Sequence, residues 1–79
     1  MIIDRDKLKL SLQNETRVWL KNNIEMSIKF CGGFEAFVLS LEKTARKRDT
    51  KILYGSSDQW RIVYNFQSES YNLVDLRKE

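Results

Sequence analysis

Apolar and polar positions follow two different periods in the middle of the chain. The segment IEMSIKF (24–30) alternates strictly between apolar and polar residues, which is the pattern of a half-buried β-strand. A break follows at Cys31-Gly32-Gly33. Apolar residues then recur at helical spacing, namely Phe34, Phe37, Val38, Leu41 and Ala45. The two patterns predict a strand near 24–30 and an amphipathic helix over 34–48.

The first segment of the chain fits two structures. Over 5–22, Leu8, Leu12 and Trp19 share one helical face, and most residues of the segment are good helix formers. The alternative is a hairpin in which KLKLSL and RVWLK are strands on either side of a turn at QNET. We favour the helix over 5–22.

The last third of the chain, 51–77, predicts a three-stranded antiparallel meander in which SSD and QSES are the turns. One face of the middle strand is predicted to be core rather than a stacking platform for nucleic-acid bases, and it carries Trp60, Ile62, Tyr64 and Phe66. A loop of three or five residues would add Val74 and Leu76 to that face and leave Tyr71 and Leu73 opposite. We predict an odd-length loop because an even one would turn Asp75 toward the core.

These elements combine into an α+β fold. We expect an antiparallel sheet, made of the strand near 24–30 and the meander 51–77, packed against helices over 5–22 and 34–48. A chain of 79 residues is short enough for one domain, so residues 1–79 are predicted to form a single unit.

Composition narrows the chemistry that this fold can support. The chain has no histidine and one cysteine, which removes the usual general base, the commonest zinc ligand and any internal disulfide. We therefore expect no metal, no cofactor and no catalytic residues. The glycines after Cys31 lack a P-loop pattern and are interpreted as the joint between a strand and a helix. No apolar run has the length of a signal peptide or a membrane span, so a cytoplasmic location without membrane contact is expected.

The positive charge is concentrated in one segment. KTARKRDTK (43–51) holds five bases and one acid, whereas the whole chain has a formal net charge of +3. One interpretation is that these cations complement the negative end of the helix dipole. The other is a site that binds a protein or nucleic acid with an acidic surface. Its predicted residues are Lys43, Arg46, Lys47, Arg48, Lys51 and Tyr54.

The second candidate for a binding surface is a face of the sheet that no helix covers. Tyr54 and Tyr71 are the tyrosines expected at the surface. If the face carrying Arg61, Val63, Asn65, Tyr71 and Leu73 is uncovered, its mixture of apolar and polar groups would suit a protein partner.

The segment WRIVYNFQSESYNLVDLRKE resembles the closing hairpin of RelE/ParE-type toxins. The predicted order from Met26 onward, a strand, a helix and a three-stranded meander, is also similar to that fold. The chain departs from the family in its extra segment before the first strand and in its single helix where a helical hairpin is usual. The resemblance implies ribonuclease activity on mRNA in the ribosome, with Arg61, Arg77 and Lys78 as the residues involved.

The absence of a catalytic cluster favours a different function. We predict a small, non-enzymatic intracellular regulator, such as the inhibitors that phages and mobile elements encode, which binds its partner through a basic helix end. The alternatives are the ribonuclease toxin and a homodimeric protein-interaction module.

Overall fold

The computed structural model describes residues 2–55 and 57–77 of the chain. Within these ranges three helices precede a four-stranded antiparallel sheet, which confirms the predicted α+β class. The helices are α1 (Arg5–Gln13), α2 (Val18–Cys31) and α3 (Phe34–Lys43). The strands are β1 (Arg46–Arg48), β2 (Lys51–Tyr54), β3 (Trp60–Asn65) and β4 (Ser70–Asp75), and they lie side by side in sequence order.

The strand predicted near 24–30 is wrong, because these residues lie within α2. Strict alternation misleads here because Ile24 and Ile28 are four residues apart and therefore also share one helical face. Ile24 is fully buried and Ile28 packs against the core. Met26 and Phe30 lie about 200° further around the helix, and they are 67% and 94% exposed.

The helix predicted over 5–22 is divided in two. α1 ends at Gln13, and the backbone N–H of Asn14 closes its last turn on the carbonyl of Leu10. A short connection then leads into α2 at Val18. In this connection Arg17 pairs with Glu15 at 2.9 Å and donates from Nη2 to the carbonyl of Leu73 at 2.6 Å. The reversal is thus held by contacts with β4, which local helix propensity does not report.

α3 begins at Phe34 as predicted but ends at Lys43 instead of reaching residue 48. Residues 46–48 form β1, which pairs with β2 across the two-residue turn Asp49-Thr50. Asp49 has a φ of 47°, and aspartate is one of the few residues that adopt this left-handed conformation readily. Sheet hydrogen bonds therefore replace helical ones at the point where the basic segment begins.

Gly32 and Gly33 form the joint between α2 and α3, so the chain reverses there between two helices rather than between a strand and a helix. Both glycines have positive φ, 100° and 131°. The N–H of Gly33 donates to the carbonyl of Ile28 at 2.9 Å, which satisfies an end carbonyl of α2. A side chain at either position would strain this backbone.

The meander over β2–β4 is confirmed, but the prediction of an odd-length loop between β3 and β4 is wrong. Asn65 pairs with Ser70, so the loop has four residues, 66–69. The loop closes because Asn65 Oδ1 accepts from the N–H of Gln67 and Glu69 adopts a left-handed φ of 51°. Tyr71 and Leu73 consequently face the core, and Val74 and Leu76 do not join it.

One hydrophobic core lies between the helices and the inner face of the sheet. Its side chains come from all three helices, from β2–β4 and from Ile3. Trp60 and Ile62 are buried and Tyr64 packs against them, as predicted, whereas Phe66 lies beyond the end of β3 and is 41% exposed. Arg5 ties α1 to α3 by donating to Glu35 and Glu42, both at 2.8 Å.

Candidate binding surface

Strand alternation divides the predicted basic site between two faces of the sheet. Arg46, Arg48 and Lys51 turn outward, because Arg46 pairs with outward-facing Leu53 and Arg48 pairs with Lys51. Lys47 pairs with Ile52 and turns to the inner face, where its Nζ lies 5.9 Å from the centroid of the Phe66 ring. Lys43 stays on the last turn of α3. The site is therefore built on an edge hairpin and not on a helix end.

Tyr54 does not belong to this surface, and its predicted exposure is wrong. It is 1% exposed and pairs with Ile62 on the inner face, beside the ring of Tyr71 at 6.3 Å. Burial disfavours the phenolate and raises the pKa of Tyr54 to about 12. Tyr71 is also buried, and its hydroxyl accepts from the N–H of Asp4 at 2.9 Å. Both tyrosines are therefore core residues.

Arg61 is a cation that the predicted site missed. It lies on β3 opposite Val74, on the same outward side as Leu53 and Val63. We call Arg46, Arg48, Lys51 and Arg61 the cationic face. None of the outward-facing residues belongs to the helix-packed core cluster. The sequence does hold a signal for Arg61, since it alternates with Trp60 and Ile62 in the same strand.

The cationic face lies beside a broad concavity of about 820 Å³. Lys43, Arg46 and Arg61 line it together, and Asp58 is the one carboxylate among its described lining residues. The register places Leu53 next to Val63 at the centre of the outward side; Leu53 is half-buried and lines the concavity, whereas Val63 is buried. The surface thus combines a cationic rim with a small apolar centre, a composition suited to an acidic partner.

Ion pairing separates the arginines of the chain into two groups. Arg5 pairs with Glu35 and Glu42, Arg17 with Glu15, and Arg77 with Asp75. Hydrogen bonds to the carboxylates hold the pKa values of all four carboxyls below their ordinary range. The arginine side chain is the chief cause at Glu15, Glu35 and Asp75, and the backbone N–H of Ile3 is the chief cause at Glu42, ahead of Arg5. In contrast, the four cations of the cationic face form no ion pair with any carboxylate in 2–55 or 57–77.

Part of the positive charge also has a structural role. β1 is a three-residue edge strand whose residues are all exposed, and charged side chains on such an edge prevent pairing with another chain. At the opposite edge, Ser11 and Arg17 cover the carbonyls of Tyr71 and Leu73 on β4. Edge protection accounts for Arg46–Arg48. It does not account for Arg61, which lies on an interior strand.

The two described residues that the toxin resemblance implies, Arg61 and Arg77, have different surroundings. Arg61 lies on the outward side, whereas the guanidinium of Arg77 stacks 3.5 Å above the ring of Trp19 in α2. Lys78 lies outside the described residues. The order of a strand and a helix before the meander is also wrong, because 24–30 is helical.

Comparison with known proteins gives no match to any family model, curated protein or solved structure. In the portion that the structure describes, no cluster of three or more potential metal-binding side chains occurs. The described helices are too short or too polar to span a membrane.

Proposed function

We propose that this protein is a small, non-enzymatic binding protein that regulates an acidic macromolecular partner by docking on it through the cationic face. One observation carries the proposal: four cations from three adjacent strands share the outward side of the sheet, and none of them forms an ion pair with a carboxylate of the described residues. Keeping like charges together costs stability, and a partner of opposite charge offsets that cost on binding.

The other reactive groups of the chain support binding rather than catalysis. The chain has no histidine, and Glu15, Glu35, Glu42 and Asp75 are each engaged by an arginine. Cys31 is the last residue of α2, at the end of the helix dipole that disfavours anions. Reactive cysteines instead lie beside cations or at helix N-termini.

We also propose that the protein acts in the cytoplasm. Cys31 is free and exposed, and a free thiol persists in a reducing compartment, so we assign the activity to the cytoplasm. Small inhibitors from phages and mobile elements act there in the same manner, by covering a surface of a larger target.

Heparin chromatography tests the cationic face with a defined polyanion. The triple variant Arg46→Gln, Arg48→Gln, Arg61→Gln is expected to elute at a clearly lower salt concentration than the wild type, because three anion contacts are lost. A matched control removes the same charge from the helices by changing Lys9, Lys21 and Lys29 to glutamine. The control triple is expected to elute near the wild type. Equal shifts in the two triples would show that net charge alone is responsible and would refute the proposed face.

Two rival functions have tests of their own. A ribonuclease toxin should arrest bacterial growth on expression, and Arg61→Ala should relieve the arrest. A homodimeric module should show twice the chain mass of 9.4 kDa by light scattering. Normal growth and a monomer mass are the outcomes expected from a binding protein of the proposed kind.

A further inference from the structure

An apolar groove lies beside the cationic concavity, between the two longer helices and the start of β3. One wall is the face of α2 that carries Ser27, Phe30 and Cys31 at helical spacing. The other wall is the face of α3 with Phe37 and Leu41, and Trp60 closes the end. The groove has a volume of about 230 Å³. Ligand sites for cofactors or drug-sized molecules begin at about 300 Å³, so this groove is suited to one side chain.

The rim of the groove exposes apolar side chains that folding has not buried. Phe30 lines the groove and is 94% exposed. Met26 precedes the lining residue Ser27 on α2, does not itself line the groove, and is 67% exposed. Phe37, Leu41 and Trp60, which line the rest of the groove, are buried, so the groove has an apolar lining beside an exposed aromatic ring. Exposed aromatic and methionine side chains around a small concavity are typical of protein–protein contacts.

The apolar groove and the cationic concavity are continuous. Thr44, Gly55 and Ser57 line both of them, with Phe30 and Trp60 on one side and Arg46 and Arg61 on the other. A ligand that lies across Thr44 and Gly55 therefore meets cations at one end and an apolar pocket at the other. The ligand that fits both sites therefore carries negative charge at one end and a single apolar group of side-chain size at the other.

We propose that the partner is a protein, and that it lays an acidic segment over the cationic concavity and inserts one apolar side chain into the apolar groove. The inference rests on the proposed function, since it assumes that the cationic face docks the partner. A nucleic acid fits less well, because single-stranded bases need aromatic platforms along the phosphate-binding surface. The outward side of the sheet carries no aromatic residue at its paired positions.

Binding of designed peptides, followed by fluorescence anisotropy, tests the inference. The first probe is a short, fluorescein-labelled, glutamate-rich peptide with one central tryptophan, and the second has serine in place of the tryptophan. The third is labelled oligo-dT of the same charge. The tryptophan peptide is expected to bind about tenfold more tightly than the serine peptide, which corresponds to burial of a single apolar side chain. Oligo-dT is expected to bind no more tightly than the serine peptide.

Variants connect the difference between the peptides to the groove. Phe30→Ala is expected to reduce the affinity for the tryptophan peptide to that for the serine peptide, and to leave the serine peptide unaffected. Leu39→Ala is the matched control, because Leu39 is 49% exposed on α3 and does not line the groove. It should preserve the tenfold difference.

Several results would overturn the inference. They are equal binding of the two peptides, a difference that survives Phe30→Ala, tighter binding of oligo-dT, or no measurable binding of either peptide. The triple variant of Arg46, Arg48 and Arg61 shows whether only the proposed groove site is wrong or whether docking through the cationic face is wrong as well. If the face docks the partner, the triple variant weakens both peptides and keeps their ratio; if it changes neither, the proposed function itself fails.

Discussion

Replacing Phe30 by alanine should leave the stability of the protein nearly unchanged, although Phe30 is one of four phenylalanines in a short chain. The structure places its ring on the solvent side of α2, 94% exposed. Two positions of the same alternating segment thus have opposite environments, since Ile24 is fully buried. The pair Phe30→Ala and Ile24→Ala therefore measures whether 24–30 is a helix or a strand.

The expected magnitudes follow from these exposures. A fully buried phenylalanine removes roughly 150–250 Å² from water, so a ring that is 94% exposed removes only about 10–15 Å². At about 25 cal/mol per Å² this burial is worth roughly 0.3 kcal/mol, and the higher helix propensity of alanine offsets it. Ile24→Ala empties a buried site and should cost about 2–5 kcal/mol. A domain of this size has roughly 4–12 kcal/mol in total.

Urea unfolding followed by the fluorescence of Trp19 and Trp60 gives both free energies. Phe30→Ala is expected to unfold within about 0.5 kcal/mol of the wild type, and Ile24→Ala well below it, with the same dependence on urea. An alternating strand would place Ile24 and Phe30 on the same buried face. A loss of about 3 kcal/mol or more in Phe30→Ala would therefore refute the helical assignment of α2.

Two further predictions concern pH. Glu42 accepts from the N–H of Ile3 at 2.7 Å and from Arg5 at 2.8 Å, and these bonds hold its pKa below the ordinary 4.5. The stability that ionised Glu42 contributes is present above pH 4.5 and is lost as the pH falls through the folded pKa. Glu42→Gln should therefore lower the urea midpoint at neutral pH and make the midpoint less dependent on pH in acid. Plots of midpoint against pH that run parallel for the variant and the wild type would contradict this. For Tyr54, whose pKa is raised to about 12, stability should be full below pH 10 and decline toward pH 12. Absorbance titration should show a late tyrosinate step whose amplitude falls in Tyr54→Phe, and the late step that remains belongs to Tyr71, whose pKa burial also raises. An unchanged amplitude in the variant would contradict the assignment to Tyr54.

The elements predicted correctly from the sequence are those in which the apolar pattern and the residue types favour the same structure. The face of α3 with Phe37, Val38 and Leu41 is buried as its spacing predicts. The alternation of Trp60 and Ile62 is joined by the strand-favouring residues Val63 and Tyr64, and β3 forms there. In both cases the local period and the tertiary environment agree, so local reasoning suffices.

The incorrect predictions have non-local causes. Ile24 and Ile28 satisfy both the strand and the helix pattern, and the choice depends on packing against α3 and the sheet. The direction of Tyr71 depends on a loop of four rather than three or five residues, which one left-handed residue, Glu69, permits. A one-residue change in a hairpin loop reverses every later side chain. Sequence spacing alone does not decide either case.

The candidate surface shows the same division between local and non-local information. Charge density along the chain identifies the segment that holds Arg46 and Arg48, but not the direction in which each side chain points. Pairing of β1 with β2 and of β2 with β3 brings Arg61 to the same side and sends Lys47 to the other. The composition therefore identifies the basic segment, whereas the strand register determines which of its residues belong to the cationic face.

The distribution of carboxylates explains how a modest net charge produces a strongly cationic surface. The chain has a formal net charge of +3, which by itself gives only weak long-range attraction. Arg5, Arg17 and Arg77 hold four of the carboxylates at the helices and at the β4 edge, away from the cationic face. Because those acids are engaged elsewhere, Asp58 is the one carboxylate among the described residues that line the concavity with Arg46 and Arg61, so positive charge stays in excess there. The ion pairs that join the helices to one another and to the sheet edge thus also keep the opposite side of the molecule positive.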